Sequence, residues 1–304
     1  MNRSWRTLDA QPTRIIAHRG ASGLRPEHTL EGYRLAISQG ADVIEPDLVP
    51  SADGVLFARH ERVLGRSTDI AQRPGLATRA RVDAVGAHEW FAEDLRSAEF
   101  DQLRARQPFP GRDPGFDRQF AIPRFTEILA LARSHWRQGR VLGVYPEIKH
   151  PLELSARGID STALLIDCLQ QAACIGAASP VWVQCFELAP LARVHQAGGN
   201  PVFALFEADA IAGLPWLRAL HRQAPWLAGV ALPKSAVIGA AGNGDLLAAA
   251  HELGWQVHIW TLRDDSVMAD MATVQQEYQA LFALGADALF CDFPASAVAA
   301  LAAF

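Results

Sequence analysis

Short runs of apolar residues alternate along this chain with longer segments in which apolar residues recur every three or four positions. The short runs have the length of a buried strand, and the longer segments have the period of an amphipathic helix. This alternation is typical of an α/β fold with a parallel sheet. Eight strands are predicted, at Arg14–Ala17, Val43–Leu48, Val141–Glu147, Val181–Phe186, Val202–Phe206, Gly229–Leu232, Gln256–Trp260 and Ala288–Cys291.

Helical periodicity fills most of the intervals between these strands. Helices are predicted at His28–Gln39, Arg124–Arg137, Ser161–Ala173, Leu188–Gln196, Asn243–Leu253, Val274–Leu284 and Ala295–Ala303. Eight strands with intervening helices fit a (β/α)8 barrel, which takes about 250 residues. We therefore expect a single TIM-barrel domain over residues 1–304, with a small insertion.

The insertion is the segment from Arg62 to Ile122, which follows a hairpin on the second barrel strand and does not continue the alternation. It is rich in Arg, Asp, Pro and Gly, and the stretches PFPG and DPG within it are loop signals. Long irregular segments of this kind often cover a substrate. We interpret residues 62–122 as an insertion at one end of the barrel.

The hairpin before the insertion predicts which side chains meet. Its second arm is Val55–His60, and Asp53-Gly54 is a favoured pair for a two-residue turn. With that turn, Asp47 lies opposite His60, and Glu45 shares their face because it is two residues from Asp47. A longer loop would shift this pairing.

Composition narrows the class of protein. Half of the residues are apolar, which is typical of a globular core, and the net charge of −5 disfavours nucleic acid as a partner. No apolar run approaches the roughly 20 residues of a membrane helix. The stretch Met1 to Thr13 lacks an apolar leader, so we expect a cytoplasmic protein, or a periplasmic one if a signal peptide has already been removed. Four cysteines lack zinc-site spacing: Cys168, Cys174, Cys185 and Cys291.

Charged side chains concentrate at or just past the carboxyl ends of the first three predicted strands, which is the face that carries the active site in this fold. They are His18, Arg19, Glu45, Asp47, Glu147 and Lys149. The three carboxylates among them would repel one another strongly unless a cation held them. Hard oxygen ligands suit Mg²⁺, Ca²⁺ or Mn²⁺. The alternative is ordinary ion pairing with nearby Arg or Lys side chains.

The two histidines beside these carboxylates, His18 and His60, are candidates for general acid and base, because imidazole titrates near neutrality. Arg19 offers a rigid cationic fork suited to phosphate oxygens. Lys149 is two residues from Glu147, so the two share a strand face and Lys149 can neutralise either the carboxylates or a phosphoryl group.

Two further candidates have equally plausible structural roles. Glu27 either stabilises the start of the following helix or hydrogen-bonds a ligand or a histidine. Trp260 ends a late strand, where it forms an apolar wall for a substrate or packs in the core. The remaining histidines, His28 among them, have no comparable setting and are interpreted mostly as surface or packing residues.

These residues resemble the glycerophosphodiester phosphodiesterase family. The family pattern is His-Arg-Gly, Pro-Glu-Asn-Thr, Glu-x-Asp, Asp-Gly, His-Asp and Glu-x-Lys. The matching stretches here are AHRGASGLRPEHTLEGY, GADVIEPDLVPSADGVLFARHERVLGRSTDIA and GVYPEIKHP. The resemblance continues in VWVQCFE, HIWTLR and GADALFCDFP, so it spans essentially the whole chain. The YPEIK block, PEHT and the long insertion are similar to the larger bacterial, periplasmic-type branch.

The resemblance implies a TIM barrel that hydrolyses glycerophosphodiesters to sn-glycerol 3-phosphate and an alcohol, with a divalent metal, commonly Ca²⁺ or Mg²⁺. By motif match, the acid–base pair would be His18 and His60. The metal ligands would be Glu45, Asp47 and Glu147, and the phosphate ligands would be Arg19 and Lys149. The chain departs from the family pattern at Glu61 in place of Asp, His28 in place of Asn, and Arg263 in place of Asn.

Other functions fit parts of the sequence. A phospholipase C- or D-like enzyme acting on intact lipid would need an exposed apolar rim, for which the insertion offers Trp90, Phe109, Phe116 and Phe120. A barrel that binds a phosphoester without turnover would not need both histidines. A glycosidase would use two carboxylates without Arg19, Lys149 or the histidine pair. The expected partner is a small glycerophosphodiester, and the sequence leaves the oligomeric state open.

Overall fold

A closed parallel barrel surrounded by helices forms the body of the protein in the computed structural model, which describes residues 5–83 and 85–304. In chain order the strands are β1 (Arg14–His18), β2 (Val43–Glu45), β3 (Asp47–Pro50), β4 (Leu56–Ala58), β5 (Arg81–Val82), β6 (His88–Glu89), β7 (Gly143–Val144), β8 (Glu147–Ile148), β9 (Val183–Cys185), β10 (Val202–Leu205), β11 (Gly229–Pro233), β12 (Gln256–Leu262) and β13 (Ala288–Cys291).

The helices lie mainly between successive barrel strands. In chain order they are α1 (Leu30–Ser38), α2 (Pro74–Ala77), α3 (Ser97–Phe100), α4 (Phe125–Trp136), α5 (Pro151–Ser155), α6 (Ser161–Gln171), α7 (Leu188–Gly198), α8 (Gly213–Gln223), α9 (Asp245–Glu252), α10 (Val274–Leu284) and α11 (Pro294–Ala303). Short 3-10 turns are present at Ile70–Gln72, Ala92–Asp94, Pro114–Phe116, Ala208–Ala210 and Lys234–Ala236.

Two of the eight barrel positions consist of two short strands each, and the pairing of these strands closes the barrel. β2 and β3 form one position, broken at Pro46, and β7 and β8 form another, broken at Pro146; proline has no N–H for the ladder. β2 pairs with β1 and β7, and β3 pairs with β8. From β8 the parallel pairing continues through β9 to β13 and returns to β1. The predicted (β/α)8 barrel is confirmed.

The apolar side chains divide between the two faces of the barrel wall. Barrel strands are buried on both faces, as expected for a parallel sheet covered by helices. The interior layer includes Ile16, Tyr145, Phe203 and Phe290, and a larger cluster fills the space between strands and helices. This packing leaves the charged strand ends at the barrel mouth.

Helix α8 was not predicted, although the helices on either side of it were. Its segment begins at Gly213 and has Pro215 in the first turn, and both residues read as loop signals. Proline is nevertheless tolerated there, because the first N–H groups of a helix have no acceptor within the helix. Packing of Leu217 and Leu220 against the barrel stabilises the helix.

The predicted register of the hairpin is wrong by one residue. Pro50 pairs with Leu56, so the connection is a five-residue loop rather than the predicted two-residue turn. The carboxylate of Asp53 accepts hydrogen bonds from the Ser97 backbone and hydroxyl, which fixes the longer loop against the insertion. Arg59, not His60, therefore lies opposite Asp47, and its N–H donates to the Asp47 carbonyl at 3.0 Å.

The described residues of the insertion, 62–83 and 85–122, form short helices, a two-stranded ribbon of β5 and β6, and tight turns. They share an apolar cluster with the hairpin, in which Phe57 stacks on Phe100 with ring centroids 4.1 Å apart. Glu93 is fully buried there and forms ion pairs with Arg62 and Arg81. Apolar packing therefore fixes the segment to the hairpin, and buried charge pairs hold the segment together internally.

The sequence predicts a cytoplasmic location and no membrane-spanning helix. The expected cytoplasmic location is based on the polar stretch Met1 to Thr13, and residues 1–4 of that stretch lie outside the described residues. Across residues 5–83 and 85–304, every helix is too short or too polar to cross a membrane.

The barrel interior contains one histidine, His258, whose ring stacks on Phe203 at 4.1 Å and whose Nδ1 lies 3.0 Å from the Tyr145 hydroxyl. Burial lowers the pKa of His258 to about 3, against an ordinary value of 6.5. The folded protein therefore resists protonation of this ring between those two pH values, whereas the unfolded chain takes up the proton.

We expect the free energy of unfolding to fall as pH drops from 6.5 towards 3, with His258 contributing up to about 1.4 kcal/mol per pH unit. Urea unfolding at several pH values should show a shallower pH dependence in His258→Gln. The control His88→Gln, at an exposed position, should keep the wild-type dependence. Equal slopes in His258→Gln and wild type would contradict the prediction.

Candidate active site

A cavity of about 440 Å³ opens at the carboxyl ends of the barrel strands. Seven of the nine predicted site residues line it: His18, Arg19, Glu45, His60, Glu147, Lys149 and Trp260. The other two, Glu27 and Asp47, lie directly behind Arg19, with carboxylate oxygens 2.8 and 3.2 Å from its guanidinium. The structure therefore brings all nine predicted residues to one place.

The loop after β1 holds its side chains through unusual backbone conformations. Arg19 and His28 have φ of 58° and 56°, in the left-handed region that only glycine adopts easily. Gly20 also has positive φ, and a Cβ at this position would lie 2.9 Å from the carbonyl carbon of Gly32. Backbone strain of this kind persists only where surrounding contacts fix it, and it concentrates at functional sites.

Three buried carboxylates converge below the cavity, with ligand oxygens of Glu45, Asp47 and Glu147 within 4.8 Å of one another. Burial raises the pKa of Glu147 to about 8. Burial, with the charges of Asp47 and Glu147, also raises the pKa of Glu45. Among the described residues, Asp47 Oδ1 is buried without a hydrogen-bond partner. A set of three oxygen ligands with an unpaired buried oxygen fits a hard divalent cation.

Basic side chains pair with this cluster only in part. Lys149 Nζ lies 2.8 Å from Glu147, which confirms that the two share a strand face. Burial alone would raise the pKa of Asp47, but Lys149 and Arg19 lower it well below its usual range. Glu45 instead accepts hydrogen bonds from neutral donors, the backbone N–H of Arg19 at 3.0 Å and the amide of Gln184 at 2.9 Å. Ion pairing therefore accompanies the carboxylate cluster without replacing a metal site.

His18 enters the cavity from the end of β1 with its Nδ1 2.7 Å from Asp292 Oδ1. Burial and the charge of Arg19 lower the pKa of His18 to about 4, so the ring is neutral at neutral pH. The Asp292 carboxylate is ionised, because its interaction with His18 and the charges of Arg263 and Arg112 overcome its burial and lower its pKa. A neutral imidazole beside a carboxylate carries its proton on the facing nitrogen, which leaves Nε2 with a free lone pair.

His60 faces the same cavity from just past β4, although it is not opposite Asp47 as predicted. Its side chain is 29% exposed, and Nδ1 lies 2.7 Å from a carboxylate oxygen of Glu61. The hydrogen bond to His60 is the main cause of the lowered pKa of Glu61, about 2. A proton gained by His60 is therefore balanced by an adjacent negative charge.

Sequence reasoning missed three residues that hold the predicted ones. Gln184 binds Glu45, Asp292 binds His18, and buried His28 places Nε2 2.9 Å from Asp47 Oδ2. His28 was interpreted as a surface or packing residue, although it follows Glu27 in the loop that also carries Arg19. Asp292 directly follows the last barrel strand, so the strand-end rule applied to the first three strands would have found it.

Two aromatic side chains form part of the cavity lining. Trp260 and Phe186 both line it, with ring centroids 6.2 Å apart in an edge-to-face arrangement. Phe186 is 40% exposed, so this side offers apolar surface to a bound molecule. Trp260 also packs against the apolar barrel interior, so its position is compatible with both interpretations, the substrate wall and the core.

A model of the glycerophosphoryl diester phosphodiesterase family matches residues 18–296. The chain is 29% identical to a glycerophosphodiester phosphodiesterase of Arabidopsis thaliana, over 92% of this chain and 84% of that protein. It is 31% identical to a glycerophosphodiester phosphodiesterase of Haemophilus influenzae, over 59% of this chain and about half, 51%, of that protein.

Solved structures share the fold at lower sequence identity. A phosphodiesterase of Oleispira antarctica, in complex with the product sn-glycerol-3-phosphate, superposes with a TM-score of 0.72 at 21% identity, covering 98% of this chain and 100% of that chain. A glycerophosphodiester phosphodiesterase of Agrobacterium tumefaciens gives a TM-score of 0.66 at 19% identity, covering 94% and 99%. Both comparisons support the barrel architecture.

The raised carboxyl pKa values generate a prediction about cation binding. In the metal-free protein at pH 7, Glu147 is mostly protonated, because its pKa of about 8 lies above that pH. A bound cation requires the carboxylate form, so binding Mg²⁺ or Ca²⁺ should release about one proton or more. Titration calorimetry in two buffers of different ionisation enthalpy measures that number.

The matched variants are Glu147→Gln and Glu207→Gln, since both residues line the cavity. Glu147→Gln should weaken cation binding and remove about one proton from the release. Glu207→Gln should change neither quantity. Binding without proton release at pH 7 in the wild type would refute the assigned protonation.

Proposed function

This chain belongs to the glycerophosphoryl diester phosphodiesterase family, and we propose that its cavity hydrolyses glycerophosphodiesters to sn-glycerol 3-phosphate and an alcohol. The observation that carries the proposal is the meeting of a carboxylate triad, two histidines and two basic side chains in one cavity. The sn-glycerol-3-phosphate bound to the structurally similar Oleispira phosphodiesterase supports a ligand of this class.

Glu45, Asp47 and Glu147 would hold the divalent cation, with Mg²⁺ and Ca²⁺ as the proposed ions and Mn²⁺ as a third candidate. When bound, the cation supplies positive charge that polarises phosphoryl oxygens. Gln184 and His28 fix the orientation of two of these carboxylates by hydrogen bonds at 2.9 Å each. Such supporting contacts preserve ligand geometry while a substrate exchanges.

His18 is the proposed general base and His60 the proposed general acid. The proton of His18 is held towards Asp292, so Nε2 can accept a proton from an attacking hydroxyl in the cavity. His60 is more exposed and pairs with ionised Glu61, which balances the charge of the protonated ring. It then donates that proton to the leaving alcohol.

Arg19 and Lys149 are proposed to stabilise the charge that develops on the phosphoryl oxygens. Arg19 Nη1 donates to Glu27 at 2.8 Å, and its Nε lies 3.2 Å from Asp47 as an ion pair without a hydrogen bond. None of the hydrogen bonds among the described residues uses its Nη2, so that group can reach a phosphate. Glu27 therefore orients Arg19, and its own pKa is about 2 because Arg19 and other nearby cations outweigh its burial.

We propose that the attacking group is the substrate's own glycerol hydroxyl next to the phosphoester. Its oxygen bonds to phosphorus as the bond from phosphorus to the head-group oxygen breaks. His18 takes the hydroxyl proton, and His60 protonates the departing alcohol. The resulting five-membered cyclic phosphate opens with water while the histidines exchange roles. The competing route is direct attack by water.

The structure disfavours the intact-lipid alternative. Trp90, Phe109, Phe116 and Phe120 are all half-buried. Phe116 and Phe120 stack on one another, and the guanidinium of Arg25 covers the Phe116 ring at 3.8 Å. These aromatic side chains therefore do not form an exposed apolar rim, and a small soluble diester is the proposed substrate. A cytoplasmic location remains a prediction from the sequence.

The first test is release of sn-glycerol 3-phosphate from glycerophosphocholine, glycerophosphoethanolamine and glycerophosphoglycerol, with and without EDTA. We expect turnover that EDTA abolishes and that Mg²⁺, Ca²⁺ or Mn²⁺ restores. His18→Ala and His60→Ala should each lower kcat by about 10²–10⁴-fold, the usual scale for a lost general acid or base.

The matched control is His150→Ala, since His150 also lies at the cavity but has no assigned role in the reaction. Its kcat should stay within a few-fold of the wild type. Near-wild-type kcat in His18→Ala or His60→Ala would show that the substituted histidine has a structural role and is not the acid or base. Undiminished activity in a metal-free preparation would contradict the metal assignment.

A second test separates the two routes of attack. A diester that lacks the glycerol hydroxyl next to the phosphoester should bind as a competitive inhibitor and not turn over. Its hydrolysis at a kcat comparable to that of the parent diester would favour direct attack by water, with the same side chains in altered roles.

A further inference from the structure

A side chain from the insertion reaches the aspartate that holds His18. Asp292 is 1% exposed, and while Oδ1 faces His18, Oδ2 accepts from Arg112 Nη2 at 2.6 Å and from Arg263 Nε at 2.9 Å. Arg112 belongs to residues 62–122, 180 positions from Asp292 in sequence. Its side chain is 3% exposed, against 31% for Arg263.

The Arg112 guanidinium is fixed on all sides. Nε and Nη2 donate to the two oxygens of Asp265 at 2.7 and 3.1 Å, and Nη1 donates to the Ser22 carbonyl at 3.2 Å. A planar fork held by several acceptors has little freedom to turn, so it presents Nη2 to Asp292 in one direction. That contact fixes the rotation of the Asp292 carboxylate.

A second path from Arg112 leads to the backbone of His18. The Ser22 hydroxyl donates to the His18 carbonyl at 2.9 Å, and the carbonyl of the same serine accepts from Arg112. Gln107, also in the insertion, donates to the Ser22 carbonyl at 3.1 Å. The insertion therefore contacts both the partner of the His18 ring and the loop that carries His18.

We propose that Arg112 is a positioning residue for the reaction: it holds the Asp292 carboxylate so that Oδ1 keeps the proton of His18 on Nδ1 and leaves Nε2 as the base. The proposal rests on the proposed function only in assigning His18 the role of base. Arg112 itself lies behind Asp292 and acts through it. Because Arg263 donates to the same Oδ2, loss of Arg112 lets the carboxylate turn towards Arg263 and away from the ring.

The kinetic test compares Arg112→Gln with wild type in the presence of excess Mg²⁺ or Ca²⁺. We expect kcat to fall by about 10–100-fold, the scale for a displaced catalytic group, with KM within about threefold. Arg112→Lys, which keeps the charge and loses the fork, should recover only part of kcat. Arg106→Gln is the matched control, because Arg106 pairs with Asp117 inside the insertion. It should keep wild-type kcat.

A double-mutant cycle with His18→Ala separates positioning from a general loss of structure. In the His18→Ala background, Arg112→Gln should change kcat by less than twofold, because the group that it positions is already gone. An equal loss in both backgrounds would overturn the proposal. If Arg112→Gln fails to fold, Asp265→Asn replaces it in the cycle. Asp265 is 39% exposed, and this substitution weakens the ion pair that holds the Arg112 guanidinium.

A spectroscopic measurement distinguishes failure of this proposal from failure of the proposed function. Long-range ¹H–¹⁵N spectra report which ring nitrogen carries the proton, and His18→Ala identifies the His18 signals. We expect the Nδ1–H form in the wild type and a mixture of both forms in Arg112→Gln, whether or not any diester is hydrolysed. An unchanged Nδ1–H form in Arg112→Gln would overturn the proposal even in an active enzyme.

Discussion

Mutual repulsion among three buried carboxylates is the constraint on which the barrel mouth depends. Glu45, Asp47 and Glu147 lie together where little water can screen them, so each needs a cation, a proton or a hydrogen bond. The raised pKa of Glu147, about 8, shows that the protein alone does not stabilise all three charges. This uncompensated negative charge fits the divalent cation proposed for the site.

The strained loop after β1 follows from the same requirement. The backbone of Arg19 adopts positive φ and thereby directs its N–H towards Glu45 and its guanidinium towards Asp47. His28, also at positive φ, binds the same carboxylate oxygen of Asp47. The gain from neutralising and orienting buried carboxylates offsets a backbone cost on the order of 1–3 kcal/mol for each such residue.

The insertion contributes to the site as a frame, on both sides of the cavity. Arg62, the first residue of the insertion, lies two positions after His60 and forms a buried ion pair with Glu93 farther along the insertion. On the other side, Arg112 reaches Asp292 behind His18. These contacts give the segment a structural role beyond covering a substrate, and they connect the proposed acid and the proposed base through one ordered unit.

The sequence determined the barrel and most of its mouth, because strand periodicity and strand-end position are local properties. Val274–Leu284 and Ala288–Cys291 were predicted with their observed bounds, and the nine predicted side chains meet at the cavity. The hairpin register was decided by tertiary contacts, since the Asp53 carboxylate is bound by Ser97, a residue far along the chain. The prediction from local turn preference alone therefore placed His60 one residue out of register.

Partners distant in sequence were likewise decided only by the tertiary structure. His28 looked like a packing residue because its carboxylate partner, Asp47, lies 19 positions along the chain, at the start of β3. Asp292 meets His18 only because the barrel closes β13 onto β1, and Arg112 reaches Asp292 only because the insertion folds back over that edge. Residue type and spacing showed which side chains could carry out the chemistry. Only the folded barrel and insertion decided which other side chains hold those residues in position.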